Sequence, residues 1–150
     1  MDILTFGSGF RKGETFQNGC TKAERNYIDF IVSGQSLRLI LGLHDTDLIG
    51  TFGWSKNKAY ENKKIDEFLG LEKPELETGR TPFYVCPECG DIGCGAITAM
   101  IEITDDYVIW RDFGYENDYS EPVFDDYKEI GPFKFDKRDY NKIFEILKKK

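Results

Sequence analysis

An α+β fold in one domain is the class this sequence predicts, and three observations carry it. Short runs of alternating apolar and polar residues recur between turn signals. Two stretches have apolar residues at helical spacing. Strand-like and helix-like stretches do not alternate regularly, as a parallel βαβ sheet would require. The expected architecture is an antiparallel meander with a short middle helix and a C-terminal helix. The chain's 150 residues, 40% hydrophobic and 15% aromatic, suffice for a real core and argue against wholesale disorder.

In chain order, residues 1–25 read as an irregular or weakly stranded opening, with the turn dipeptide Asn18-Gly19 in a polar loop. Residues 27–32 and 36–41 are β-rich runs joined through Ser33-Gly34-Gln35, a hairpin signature, with helix as the rival over 36–43. Asp45, Asp47, Gly50 and Gly53 break the pattern. Residues 59–71 then space Ile65, Phe68 and Leu69 helically, with Gly70 near the end. A polar connection over 72–81 leads to Phe83-Tyr84-Val85. Ile97, Ala99, Ile101 and Ile103 follow at period two, then the turn Thr104-Asp105-Asp106 and a third apolar run over 107–113. Together these predict an antiparallel meander over about residues 82–114, with Cys86 and Cys94 close across its first connection. Residues 114–134 carry Gly114, Pro122, Gly131 and Pro132 and read as a long loop with at most one strand. Asp136 offers an N-cap to a C-terminal helix with Ile143, Phe144 and Leu147 on its apolar stripe and a basic end that suits the helix dipole.

The cysteine spacing is the most specific local feature. Cys86-Pro87-Glu88-Cys89-Gly90 has the form of a zinc knuckle, and Cys94 offers a third ligand with Cys20, His44 or Asp91 as a fourth. The second Cys-x-x-Cys of a full zinc site is missing, so structural thiols in a glycine-rich hairpin compete with a zinc-binding or thiol-redox site. With no helix following the turn, the redox reading is the poorest. Three of the four cysteines fall within nine residues and no N-glycosylation sequon occurs, which argues against a secreted disulfide framework.

Residues 79–80, 84–96 and 108–115, including Tyr84-Val85-Cys86-Pro87-Glu88-Cys89-Gly90-Asp91 and Val108-Ile109-Trp110-Arg111-Asp112-Phe113-Gly114-Tyr115, resemble a family of small uncharacterised bacterial proteins common in actinobacteria. Some of those carry a genome label of oxidoreductase. The resemblance implies a bacterial origin and brings no catalytic residues.

Charge narrows the function further. With 20 basic and 27 acidic side chains the net charge is −7, which disfavours nucleic acid as a partner. The longest apolar stretch, residues 37–43, contains Arg38 and Gly42 and is far below the roughly 20 residues of a membrane span. The start lacks the n-region and h-region of a signal peptide, so a cytoplasmic protein beginning at Met1 is expected. Gly7-Ser8-Gly9-Phe10-Arg11-Lys12-Gly13 fails both the Walker and the dinucleotide spacing. The single histidine, His44, reads as a solvated loop residue. Nucleophile elbows and His-Glu-x-x-His helices are absent from the sequence.

Residues 102–129 hold ten carboxylates against Arg111 and Lys128, a local balance of −8, interleaved with seven aromatic residues. Rings as anchors and charges for steering suit a surface for a basic protein. Asp112, Tyr115, Glu116, Asp118, Tyr119, Glu121, Asp125 and Asp126 are the candidate contacts. The expected function is that of a non-enzymatic acidic binding protein, most concretely a bacterial immunity or antitoxin-type protein neutralising a basic, nuclease-like toxin. The alternative is a zinc or thiol protein using Cys86, Cys89 and Cys94.

Overall fold

A computed structural model describes the chain apart from residues 16, 18–20, 23, 88–94, 118, 120 and 150. Strand β1 (Leu4–Arg11) pairs antiparallel with β4 (Arg25–Val32) in unbroken register, from Leu4 opposite Val32 to Arg11 opposite Arg25. Between them lies a small two-stranded ribbon, β2 (Glu14–Thr15) and β3 (Thr21–Lys22). The opening of the chain, expected as irregular or weakly stranded, thus holds a full strand of eight residues. Its signal is muted because Gly7, Ser8 and Gly9 carry almost no side chain, and glycine is depleted in strands. Gly9 has a packing reason: the Tyr27 ring lies across it, and a Cβ there would fall 2.2 Å from the ring's Cζ.

Ser33 and Gly34 turn the chain with φ of 50° and 85°, the left-handed pair a tight hairpin needs. The returning arm pairs only through β5 (Gln35–Ser36) before becoming helix α1 (Leu37–Ile40), which corrects the expected hairpin over 36–41. Two local preferences decide for helix. Ser36 caps the turn by accepting from the Leu39 N–H, and Leu37 and Leu41 at helical spacing are both buried.

The larger sheet has the order β10-β9-β8-β7-β6. It is formed by β6 (Ile49–Gly50), β7 (Thr81–Val85), β8 (Ala96–Ile103), β9 (Tyr107–Glu116) and β10 (Phe133–Asp136), every neighbour antiparallel. The expected meander is therefore present, and residues 96–103 are strand throughout. Helix α2 (Lys58–Leu69) is capped by Asn57 and stopped by Gly70 at φ 78°. Helix α3 (Lys137–Lys148) is capped by Asp136, as its sequence predicts.

Two bridges join the sheets at opposite ends, Ile28 to Phe52 and Asp2 to Phe135. The aromatic core lies between them. Phe30, Phe68, Phe83, Trp110 and Phe144 are wholly buried and meet mostly edge to face, with Phe83 and Trp110 centroids 4.7 Å apart, a favoured geometry for aromatic quadrupoles. Trp110 Nε1 donates to Tyr140 Oη, which donates to the Phe68 carbonyl at 2.8 Å, so the buried polar tips are satisfied. The fold is α+β. Among the described residues no helix is long and apolar enough to cross a membrane.

Candidate partner-binding face

The acidic stretch begins on β9 at a break in register. Thr98 pairs with Gly114 and Met100 with Arg111, so Asp112 and Phe113 together oppose Ala99. Such a bulge re-aims the side chains that follow it. Asp112 adopts φ 57°, rare for a residue with a Cβ. Phe113 turns into the core, while Asp112 and Arg111 point outward and pair with each other.

Beyond the bulge the outer face of the sheet holds a buried polar network. Arg80 Nε donates to Thr98 Oγ1 at 2.8 Å, Thr98 Oγ1 donates to Glu116 Oε2 at 2.9 Å, and Thr78 donates to Glu116 Oε1 at 2.7 Å. Arg80 Nε and Glu116 Oε2 are 3.7 Å apart, each side chain 5% exposed. A second guanidinium nitrogen of Arg80 donates to the Thr98 carbonyl and to that of Asp112, so the bulge carbonyl is used. Burial lowers the Arg80 pKa from its ordinary value, and the Glu116 charge opposes that shift.

The described residues of 117–132 fold back over this network as a strap. Tyr115 and Val123 exchange backbone hydrogen bonds of 2.8 Å in both directions. Phe124 lies over the Arg80 guanidinium, 4.8 Å from ring centroid to Cζ, and rests on Gly114, where a Cβ would come within 2.8 Å of Phe124 Cδ1. Tyr127 and Ile130 continue the strap through turns closed by Tyr127 N–H to Phe124 O and Ile130 N–H to Tyr127 O. Between strap and sheet is a cleft of about 510 Å³ lined by Arg80, Arg111, Asp112, Phe124, Tyr127 and Lys128 among others.

The candidate contacts separate on this geometry. Asp112, Tyr119, Glu121, Asp125 and Asp126 are exposed, Tyr119 at 86%, and Tyr115 is half-buried. Glu116 is not a surface residue: it is the buried partner of Arg80, which corrects its place among the contacts. Asp118 lies outside the described residues. Of the aromatic residues, Trp110 and Phe113 belong to the core, whereas Tyr119 and Phe124 are exposed. Arg80 and Thr98 escape the sequence reading because their partner is 36 and 18 residues away, and no local spacing announces such a pairing.

Of the proposed metal ligands, Cys20, Cys89 and Cys94 and their neighbour Asp91 lie outside the described residues, as does the expected approach of Cys86 to Cys94. Cys86 is half-buried just after β7. The adjoining Pro87 carbonyl accepts from Arg25 Nε at 3.0 Å, and that guanidinium stacks on Trp54. His44 is exposed in a 3-10 turn (Leu43–Asp45) beside Asp45. Among the described residues no group of three His, Cys, Asp or Glu side chains could hold a metal ion. The glycine run at 7–13 begins as strand β1 and forms no phosphate loop there.

No family model, no curated protein and no solved structure matches the chain.

Proposed function

We propose that this is a non-enzymatic acidic binding protein of the bacterial immunity or antitoxin type, acting in the cytoplasm by covering a basic, nuclease-like toxin. The observation that carries the reading is the strap. It presents Tyr119 and Phe124 to solvent among Glu121, Asp125 and Asp126 and is tied to the sheet by backbone bonds and by the Phe124–Arg80 stack. A rigid support lowers the ordering cost of binding, exposed rings supply anchors, and the surrounding carboxylates draw in a cationic surface. Among the described residues Arg111 pairs with Asp112 and Glu102 and Lys128 with Asp125, and residues 121–132 of the strap carry four carboxylates against Lys128, so the charge that the strap itself turns outward is negative.

The test is to express the protein with the basic product of the adjacent gene and measure both complex formation and the nuclease activity of that product. The reading expects a stable one-to-one complex with activity suppressed, and a loss of affinity of about tenfold or more on Tyr119→Ala, as for a ring that fills a partner pocket. A neighbour that is not basic, or one that stays active in a large excess of this protein, would refute it.

A further inference from the structure

On the opposite sign of charge, the outer edge of β1 is open. It stands at the end of its sheet, and beyond the single Asp2–Phe135 bridge no described strand pairs with it. The Ser33 N–H donates to the Ile3 carbonyl, so the odd-numbered residues direct their backbone groups toward β4. Leu4, Phe6, Ser8 and Phe10 then direct N–H and C=O outward, because in an antiparallel ladder these orientations alternate. Residues 3–10 contain no charge and no proline, two of the usual protections of an edge strand.

Alongside this edge runs α3, and between them lies an apolar groove of about 390 Å³ whose walls include Phe6, Ser8, Ile28, Ile143, Ile146 and Leu147. Ile146 is half-exposed on its rim. Lys142 and Lys149 stand four residues before and three after it, on the same ridge of the helix. Both are exposed, and among the described residues neither has an ion pair. Residues 137–150 carry six basic side chains against two acidic, while the whole chain is net −7.

We propose that this edge and groove form a second docking site, which takes an extended peptide segment as an added strand: an apolar residue enters the groove, and acidic residues two positions before and after it, on the same face of the strand, reach Lys142 and Lys149. Backbone pairing supplies affinity and the pocket selects the side chain, the usual division in strand addition. Charge decides the occupant. A second copy paired through its own β1 would set one basic α3 beside another, whereas an acidic strand neutralises the helix. The proposal is independent of the acidic strap, which is a different surface of opposite charge.

The experiment titrates the full chain with a short, capped, fluorescent peptide that has a central valine, glutamate two positions before and after it and threonine between, against the same peptide with lysine in place of glutamate and an N-methylated form that cannot pair. Ser8→Pro removes an outward N–H and leaves the ladder to β4 intact. Lys142→Glu with Lys149→Glu changes only exposed positions and serves if Ser8→Pro fails to fold. Saturable binding of the acidic peptide alone is expected, weakened about tenfold or more by either variant. The proposal is overturned by no binding up to about 1 mM, by equal binding of the lysine peptide, by indifference to the folded variants, or by a dimer in sedimentation that Ser8→Pro abolishes.

Discussion

Glu116 and Asp125 belong to one acidic run yet have different consequences for the molecule. Glu116 is 5% exposed and faces Arg80 through Thr98, while Asp125 is 82% exposed and pairs with Lys128 at the surface. Removing one partner of a buried pair strands the other charge away from water and costs about 3–5 kcal/mol, whereas an exposed pair contributes at most about 1 kcal/mol. Glu116→Ala should therefore lower unfolding stability by about 3–5 kcal/mol and Asp125→Ala by under about 0.5 kcal/mol. Denaturant titration of the two variants checks this, and equal effects would place Glu116 on the surface after all. From sequence these two carboxylates are alike. Composition reports that charge accumulates between residues 102 and 129 but says nothing about which member a distant Arg80 will claim.

At the scale of elements, the strap depends on what β9 leaves uncovered. Gly114 gives Phe124 a floor, and the ring in turn shields Arg80. Phe124→Ala removes a cation–π contact of about 1–2 kcal/mol and should speed hydrogen exchange at the Val123 and Tyr115 amides while leaving Trp110 and the core amides unchanged. Uniform exchange across the sheet would show that the strap does not open separately. The elements most legible in the sequence are those whose signal is local. The meander at 82–114 follows from period-two apolar runs and the Thr104 turn. Helices α2 and α3 follow from Asn57 or Asp136 at one end and apolar spacing within. Strand β1 was hidden because its side chains are small and its pairing is set by β4 and the Tyr27 ring over Gly9. Helix α1 was ambiguous because Leu37, Leu39 and Leu41 suit a strand as well as a helix, and the Ser36 cap and buried packing decide it.

For the molecule as a whole, the core fixes how stability responds to alkali. Burial raises the Tyr140 phenol, and burial together with Asp29, which accepts from Tyr84 Oη at 2.5 Å, raises the Tyr84 phenol well above 10.0. Burial pulls Lys64 down, but the Glu67 and Glu75 charges outweigh it and raise it above 10.5. In the unfolded chain these groups lose their protons near pH 10 to 10.5 while the folded protein retains them. Their contribution is thus fully present below pH 10 and lost above it, at about 1.4 kcal/mol per pH unit for each group. Urea titrations from pH 8 to 12 should show a plateau and then a fall beginning near pH 10, and a profile flat to pH 12 would contradict it. The acidic strap acts on the same molecular scale through its field, and one measurement addresses it most directly. The association rate with the basic neighbouring-gene product should be followed against salt for the native chain and for Glu121→Lys with Asp125→Lys and Asp126→Lys. A native rate that falls steeply with salt, and a variant slower by about tenfold or more with little salt dependence, is the predicted result. Equal rates and equal salt dependence in the two proteins would contradict the assignment of the strap as the docking surface.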